Sequence, residues 1–234
     1  MSKKIDAYSS YLAVQLLKTL KQTMDYNALS RHTGLPVSTL SRYVTNKTLP
    51  RGERTLELID KLLKVVNLNL LVQQRLTTDG EEIDVSSVVS ESHLVELMVA
   101  HMLREFAGNR IDCLLAVDRA GLVLATGFGL STMKKVYYTL NSETSMTERW
   151  KEIKYRNRES KTVSRIYVPA EALKSHVLLT AGMLDGFIPL KEVLEKISES
   201  KGELVGIAAV TVSKEFMKSV KPYQFGKIVS FGSF

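Results

Sequence analysis

Two hydrophobic periods divide this chain. Through residue 66 the apolar positions recur every three or four residues, the spacing that lines up side chains on one face of a helix. Tyr8, Leu12, Leu16 and Leu20 predict a helix over residues 6–24, and Leu56, Ile59, Leu62 and Leu63 predict another over 52–66. Between them, residues 26–51 read as two short helices joined by a tight turn. Ala28, Leu29 and Ser30 begin the first, and Val37 opens the second with Leu40 and Val44 facing inward. Gly34 stands at the turn, where only glycine takes a positive φ without strain. Residues 65–76 fit strand and helix equally well. The polar segment 77–84 (TTDGEEID) reads as a linker, and Ser90 as the N-cap of a helix running to Phe106.

Beyond residue 110 the pattern changes to short apolar runs of strand length: IDCLLAV (111–117), KVYYTL (135–140), VSRIYV (163–168), HVLLT (176–180) and LVGIAAVTV (204–212). Residues 121–129 read as a helix start, and 189–199 as an amphipathic helix. Strands alternating with helices imply a parallel sheet with helices on its faces. The charged segment 141–161 has no sustained apolar period and reads as a mobile loop or hairpin over the C-terminal edge of the sheet. The expected fold class is α/β. An N-terminal all-α helix-turn-helix domain (1–76) is followed by a linker (77–87) and a parallel-sheet domain (88–234).

Hydrophobic residues make up 44% of the 234 positions, a composition that buries a core and excludes a disordered chain. The net charge of +7 is unevenly spread: residues 1–80 hold 12 Lys+Arg against 6 Asp+Glu, and the remainder 20 against 19. A basic first third points to a polyanionic partner for that part alone. Cys113 is the single cysteine, so no intrachain disulfide forms, and its apolar surroundings predict a buried strand residue in a reducing compartment. No apolar run approaches the length of a membrane span, and the N-terminus lacks the apolar core of a signal peptide, so a cytoplasmic, membrane-free protein is expected. Four scattered histidines with one cysteine give no metal-ligand cluster.

The candidate chemistry lies in two places. In the first, the outer face of the second short helix carries Ser38, Thr39, Ser41 and Arg42 with no carboxylate, and Lys47 and Arg51 follow it. Short hydroxyls let a backbone approach phosphates, and arginine pairs bidentately with guanine. TLSRYVTNKTLP followed by ERTLELIDKLLK resembles the recognition helix and next helix of the Cro/repressor-type helix-turn-helix family, over roughly residues 9–66. That resemblance implies a double-stranded DNA operator as partner, read by a two-fold pair of chains.

The second place is the pair of loops expected after two strands, Asp118-Arg119-Ala120-Gly121 and residues 180–189 (TAGMLDGFIP). Parallel sheets bind ligands at the carboxyl ends of their strands, and glycines before a helix N-terminus form an anion cradle. The expected ligand contacts are Arg119 and Gly121 on one loop, and Gly182, Asp185, Gly186 and Phe187 on the other.

The order IDCLLAVDRAGLVLATGFG, a charged loop, then HVLLTAGMLDGFIPLKEVLEKI and LVGIAAVTV resembles a type I phosphoribosyltransferase domain over about residues 88–234. That family's motif begins with two adjacent acids that hold the ribose hydroxyls; here they fall at Thr180 and Ala181 or, one residue on, at Ala181 and Gly182. The composite resembles archaeal regulators that join a helix-turn-helix to such a domain. It implies a sequence-specific DNA-binding transcriptional regulator, not an enzyme, whose second domain dimerises and senses a nucleotide-type effector, with no cofactor. The alternatives are an active nucleobase or orotate phosphoribosyltransferase with a nucleic-acid-binding arm, and a DNA-binding structural protein without a small-molecule ligand.

Overall fold

The computed structural model describes residues 3–22, 24–79, 82–141, 149–156, 163–185, 190–219 and 226–234. Five helices come first: α1 (Lys3–Lys21), α2 (Tyr26–Thr33), α3 (Val37–Val44), α4 (Glu53–Val65) and α5 (Leu68–Gln73). Asp25 starts α2 by accepting a hydrogen bond from the Ala28 amide at 2.7 Å. Gly34 ends it with φ 74°, its amide donating to the Ser30 carbonyl at 2.8 Å. Polar bonds then pin the turn to its neighbours. The Ser30 hydroxyl donates to the Leu35 carbonyl at 2.7 Å, Lys61 Nζ to the Thr33 carbonyl at 3.0 Å, and the buried Ser10 hydroxyl to the Pro50 carbonyl at 2.6 Å.

A short antiparallel ladder, β1 (Thr77–Asp79) with β2 (Glu82–Asp84), and the turn α6 (Ser86–Val89) lead into α7 (Ser92–Glu105). There follow β3 (Cys113–Ala116), α8 (Arg119–Thr132), β4 (Lys135–Tyr138), the hairpin β5 (Trp150–Arg156) and β6 (Val163–Pro169), and α9 (Ala170–Leu173). The chain closes with β7 (His176–Leu184), α10 (Leu190–Glu199), β8 (Glu203–Val212), α11 (Lys214–Ser219) and β9 (Lys227–Ser233). Five strands form one parallel sheet in the order β4-β3-β7-β8-β9. From β3 the chain steps outward to β4, then returns to the other side with β7. The strand order therefore reverses between β3 and β7, the place where open parallel sheets leave a crevice.

Strand alternation divides the sheet's side chains between two cores. Leu114 and Ala116 of β3, Leu178 of β7, Ala208 and Val210 of β8, and Val229 and Phe231 of β9 face α7 and α8, and their cluster continues into Leu12, Leu16, Leu29, Leu40 and Leu62 of the N-terminal helices. Cys113, Leu115, Leu179 and Ile207 face the other way, onto Leu173 of α9, Val193 and Ile197 of α10, and Ile153 and Ile166 of the hairpin. The Gln73 side chain also donates to the Ser233 carbonyl at 2.6 Å, tying α5 to β9.

Several expectations are corrected. Leu56 is half exposed, and Thr55 takes the inward place beside Leu58 and Ile59. Segment 65–76 is helical (α5), because Asn67 caps it by accepting from the Leu70 amide at 3.0 Å. Ser90 does not cap α7: its hydroxyl donates to the Ser87 carbonyl, and the helix begins at Ser92. Strand β7 runs four residues beyond Thr180, because its main chain stays paired with β8 as far as Leu184 opposite Val212. Buried Cys113 matches its expectation, and no group of His, Cys, Asp and Glu among the described residues could hold a metal ion. No helix among them is long and apolar enough to cross a membrane.

Candidate active site

At the switch point, the ends of β3 and β7 are joined by one carboxylate and two glycines. Asp118 follows β3 and caps α8: its Oδ1 accepts from the Gly121 amide at 2.6 Å. The same carboxylate accepts from the Gly182 amide of β7, at 2.9 Å to Oδ1 and 2.8 Å to Oδ2. One side chain thus ties the start of α8 to β7. The glycines make this possible. A Cβ on Gly121 would overlap the Thr180 carbonyl oxygen and come within 2.7 Å of Ala181 Cα. A Cβ on Gly182 would lie 2.5 Å from Ala120 Cβ and 3.1 Å from Val85 Cγ2. Beside them the Val117 amide donates to the Thr180 carbonyl at 3.0 Å, extending the pairing of β3 with β7 by one bond.

Of the expected ligand contacts, Gly121 and Gly182 are brought together, Arg119 is exposed in the first turn of α8, and Asp185 is half-buried just past β7. Gly186 and Phe187 lie outside the described residues. Gly182 is a strand residue, not a loop residue as expected, for the pairing reason given above. Of the amide cradle expected over residues 180–189, the Gly182 amide is engaged by Asp118, and residues 186–189 lie outside the described residues. Two crevice residues escaped the sequence reading, Asp118 as the clasp and Val85 against Gly182. An Asp three residues before a glycine at a helix start is a capping signal, and it could have singled out Asp118. Val85 left no signal, since its approach is tertiary.

The opposite, amino edge of the sheet is polar but built for structure. The Tyr137 hydroxyl donates to Glu171 at 2.5 Å, and His176 Nδ1 lies 2.7 Å from Asp112 Oδ2. Burial pushes the Cys113 thiol up to about 11, leaving it inert as a nucleophile near neutrality. Burial and the Glu171 carboxylate raise the Tyr137 phenol to about 12.

In the N-terminal part, Ser38 and Arg42 are exposed one helical turn apart on α3, Thr39 and Ser41 are half-buried beside them, and Lys47 and Arg51 are exposed beyond the helix. Leu40 is wholly buried on the inner face.

Comparison with solved structures gives the sheet its class. An adenine phosphoribosyltransferase from Rhodothermus marinus matches with a TM-score of 0.61 at 13% identity, over 71% of this chain and 98% of that one. The adenine phosphoribosyltransferase of Thermoanaerobacter pseudethanolicus matches with a TM-score of 0.59 at 10% identity, over 70% of this chain and 99% of that one. That of Saccharomyces cerevisiae, solved with adenine and an imino-altritol bisphosphate, gives 0.57 at 10% identity, over 70% and 98%. No family model matches the chain, and no curated protein does. The chain therefore carries an α/β domain of the phosphoribosyltransferase fold. The expectation of a non-enzymatic transcriptional regulator is corrected by these matches: these solved structures that share the fold are adenine phosphoribosyltransferases.

Proposed function

We propose that this chain is a nucleobase phosphoribosyltransferase with an N-terminal nucleic-acid-binding arm. The observation that carries the enzymatic part is the near-complete coverage of adenine phosphoribosyltransferase chains by a sheet whose crevice opens at β3 and β7. In the reaction, a ring nitrogen of the base bonds to C1 of phosphoribosyl diphosphate while the bond from C1 to the pyrophosphate oxygen breaks. The nitrogen's proton passes to solvent and pyrophosphate leaves. The protein contributes by holding the ribose and the base in line and by stabilising the departing charge. Arg119, exposed in the first turn of α8, is the cation suited to that charge. Incubation with phosphoribosyl diphosphate and adenine, hypoxanthine, guanine or orotate in turn should release pyrophosphate with at least one of them. Absence of release with all four would overturn the enzymatic reading.

For the arm, the supporting observation is the exposed face of α3, with hydroxyls and Arg42 but no carboxylate, flanked by Lys47 and Arg51. Such a face suits a phosphate backbone, with Arg42 placed to meet a base edge.

A further inference from the structure

We infer that the cleft between the α4–α5 connection and strand β9 is a second small-molecule site, suited to a flat ring of the aminopurine kind. It does not rest on the transferase reading. The cleft lies away from the switch point, since β8 stands between β7 and β9. Its volume is about 410 Å³, within the range of small-ligand pockets. Residues 63–69, His101 of α7, and Ser230 and Phe231 of β9 line it, so an occupant touches both the N-terminal helices and the sheet.

The main chain of β9 supplies a hydrogen-bonding edge. Just past the strand, the Phe234 amide donates to the Val212 carbonyl at 3.2 Å, and the Phe234 carbonyl accepts from the Lys214 amide at 3.1 Å; Phe234 therefore faces β8. The Ser233 carbonyl faces the other way and accepts from Gln73 of α5. The pairing with β8 keeps one offset from Lys227 to Ser233, so these directions alternate along the strand. Phe231 accordingly turns its N–H and C=O to the free edge, where neither meets a main-chain partner among the described residues. Phe231 is buried, and a buried donor and acceptor left open are costly. A ligand that pairs with both removes that cost. The carbonyls of Leu63, Lys64 and Val65, which end α4, likewise receive no hydrogen bond among the described residues and supply further acceptors.

The side chains select the shape. The His101 and Phe231 rings stand edge to face, 5.8 Å apart at 81°, so a flat ring can stack on one and meet the edge of the other. His101 Nδ1 lies 3.5 Å from Arg104 and Nε2 3.6 Å from Glu105, and burial, with Arg104 beside it, lowers its pKa. The imidazole therefore offers aromatic surface and not charge. A flat heteroaromatic ring with an amino donor beside a ring-nitrogen acceptor complements these features, as the edge of adenine does.

Photolabelling tests this without depending on turnover. The full-length chain is irradiated with 8-azidoadenosine, alone or with excess adenosine or N6,N6-dimethyladenosine, and the labelled peptides are mapped by mass spectrometry. Label should fall on segment 63–69 or on the β9 segment around Ser230 and Phe231, and adenosine should protect it. The dimethyl analogue has no amino hydrogen to donate, so it should protect with roughly tenfold lower potency. Label confined to residues 118–121 and 180–185 would overturn the second site and leave the transferase reading standing. No saturable label anywhere would also overturn it, and equal protection by the two competitors would overturn recognition through the β9 edge.

Discussion

The exposed face of α3 and the crevice at β3 and β7 reach their surroundings by opposite means. On α3 the side chains do the reaching: Ser38 and Arg42 stand out from a helix whose opposite side is anchored by the wholly buried Leu40. In the crevice side chains are withdrawn, and the backbones of Gly121 and Gly182 close on neighbours that a single methyl would displace. A face made of side chains tolerates substitution, because each group is solvated on its outer side. A site made by close backbone approach does not, because the neighbouring main chain has nowhere to go.

The largest effect tests whether the two regions share one fold. Leu62 of α4 is wholly buried in the cluster that also contains Leu114 and Leu178 of the sheet. Leu62→Ala should cost about 2–5 kcal/mol. Trp150, the single tryptophan, lies in β5 and reports on the sheet, whereas far-ultraviolet dichroism reports chiefly on the helices. In a denaturant titration both signals should shift together. A tryptophan transition left in place would show that the regions unfold separately.

Next comes the contrast between glycines. Gly121→Ala should destabilise by about 3 kcal/mol, since its Cβ meets main-chain atoms of β7. Gly34→Ala faces open space, with Lys61 Nζ at 3.9 Å its nearest neighbour, and carries only the left-handed backbone cost of about 1–2 kcal/mol. Equal losses in urea would break the comparison.

Arg42→Ala acts on the other region in the opposite way. It should weaken duplex binding by about 1–3 kcal/mol while changing stability by less than about 0.5 kcal/mol. Lys47→Ala should lower affinity for all duplexes and flatten the salt dependence. Fluorescence anisotropy on a random and a selected duplex, at several salt concentrations, separates the two. Unchanged affinity in both variants would remove the arm.

The smallest effect concerns the contact of α7 with β9. Lys227 and Arg104 donate to Glu105 and hold its carboxyl at about 2, below the ordinary 4.5. Its folded value lies below its unfolded one, so its contribution is fully present above about pH 4.5 and is lost as pH falls towards 2. Glu105→Gln should flatten that part of the acid-unfolding profile and leave neutral stability lower. An unaltered slope would assign the acid limb elsewhere.

What the sequence determined by itself follows from period and from single-residue stereochemistry. The helical spacing of Leu12, Leu16 and Leu20, the alternation that sends Cys113 and Leu115 one way and Leu114 and Ala116 the other, and the positive φ of Gly34 all depend on near neighbours. So does the parallel sheet, whose strands and helices alternate along the chain. The tertiary structure decided what depends on distant partners. Strand β7 extends through Gly182 to Leu184 because β8 is there to pair with it. Strand β9 forms because β8 offers a free edge. Asp118 becomes the clasp of the crevice only when residues 64 positions apart in sequence come within hydrogen-bonding distance. The two parts of the chain merge into one core because α7 presents apolar residues to the N-terminal helices as well as to the sheet. Periodicity says which side of an element is apolar; only packing says what it meets.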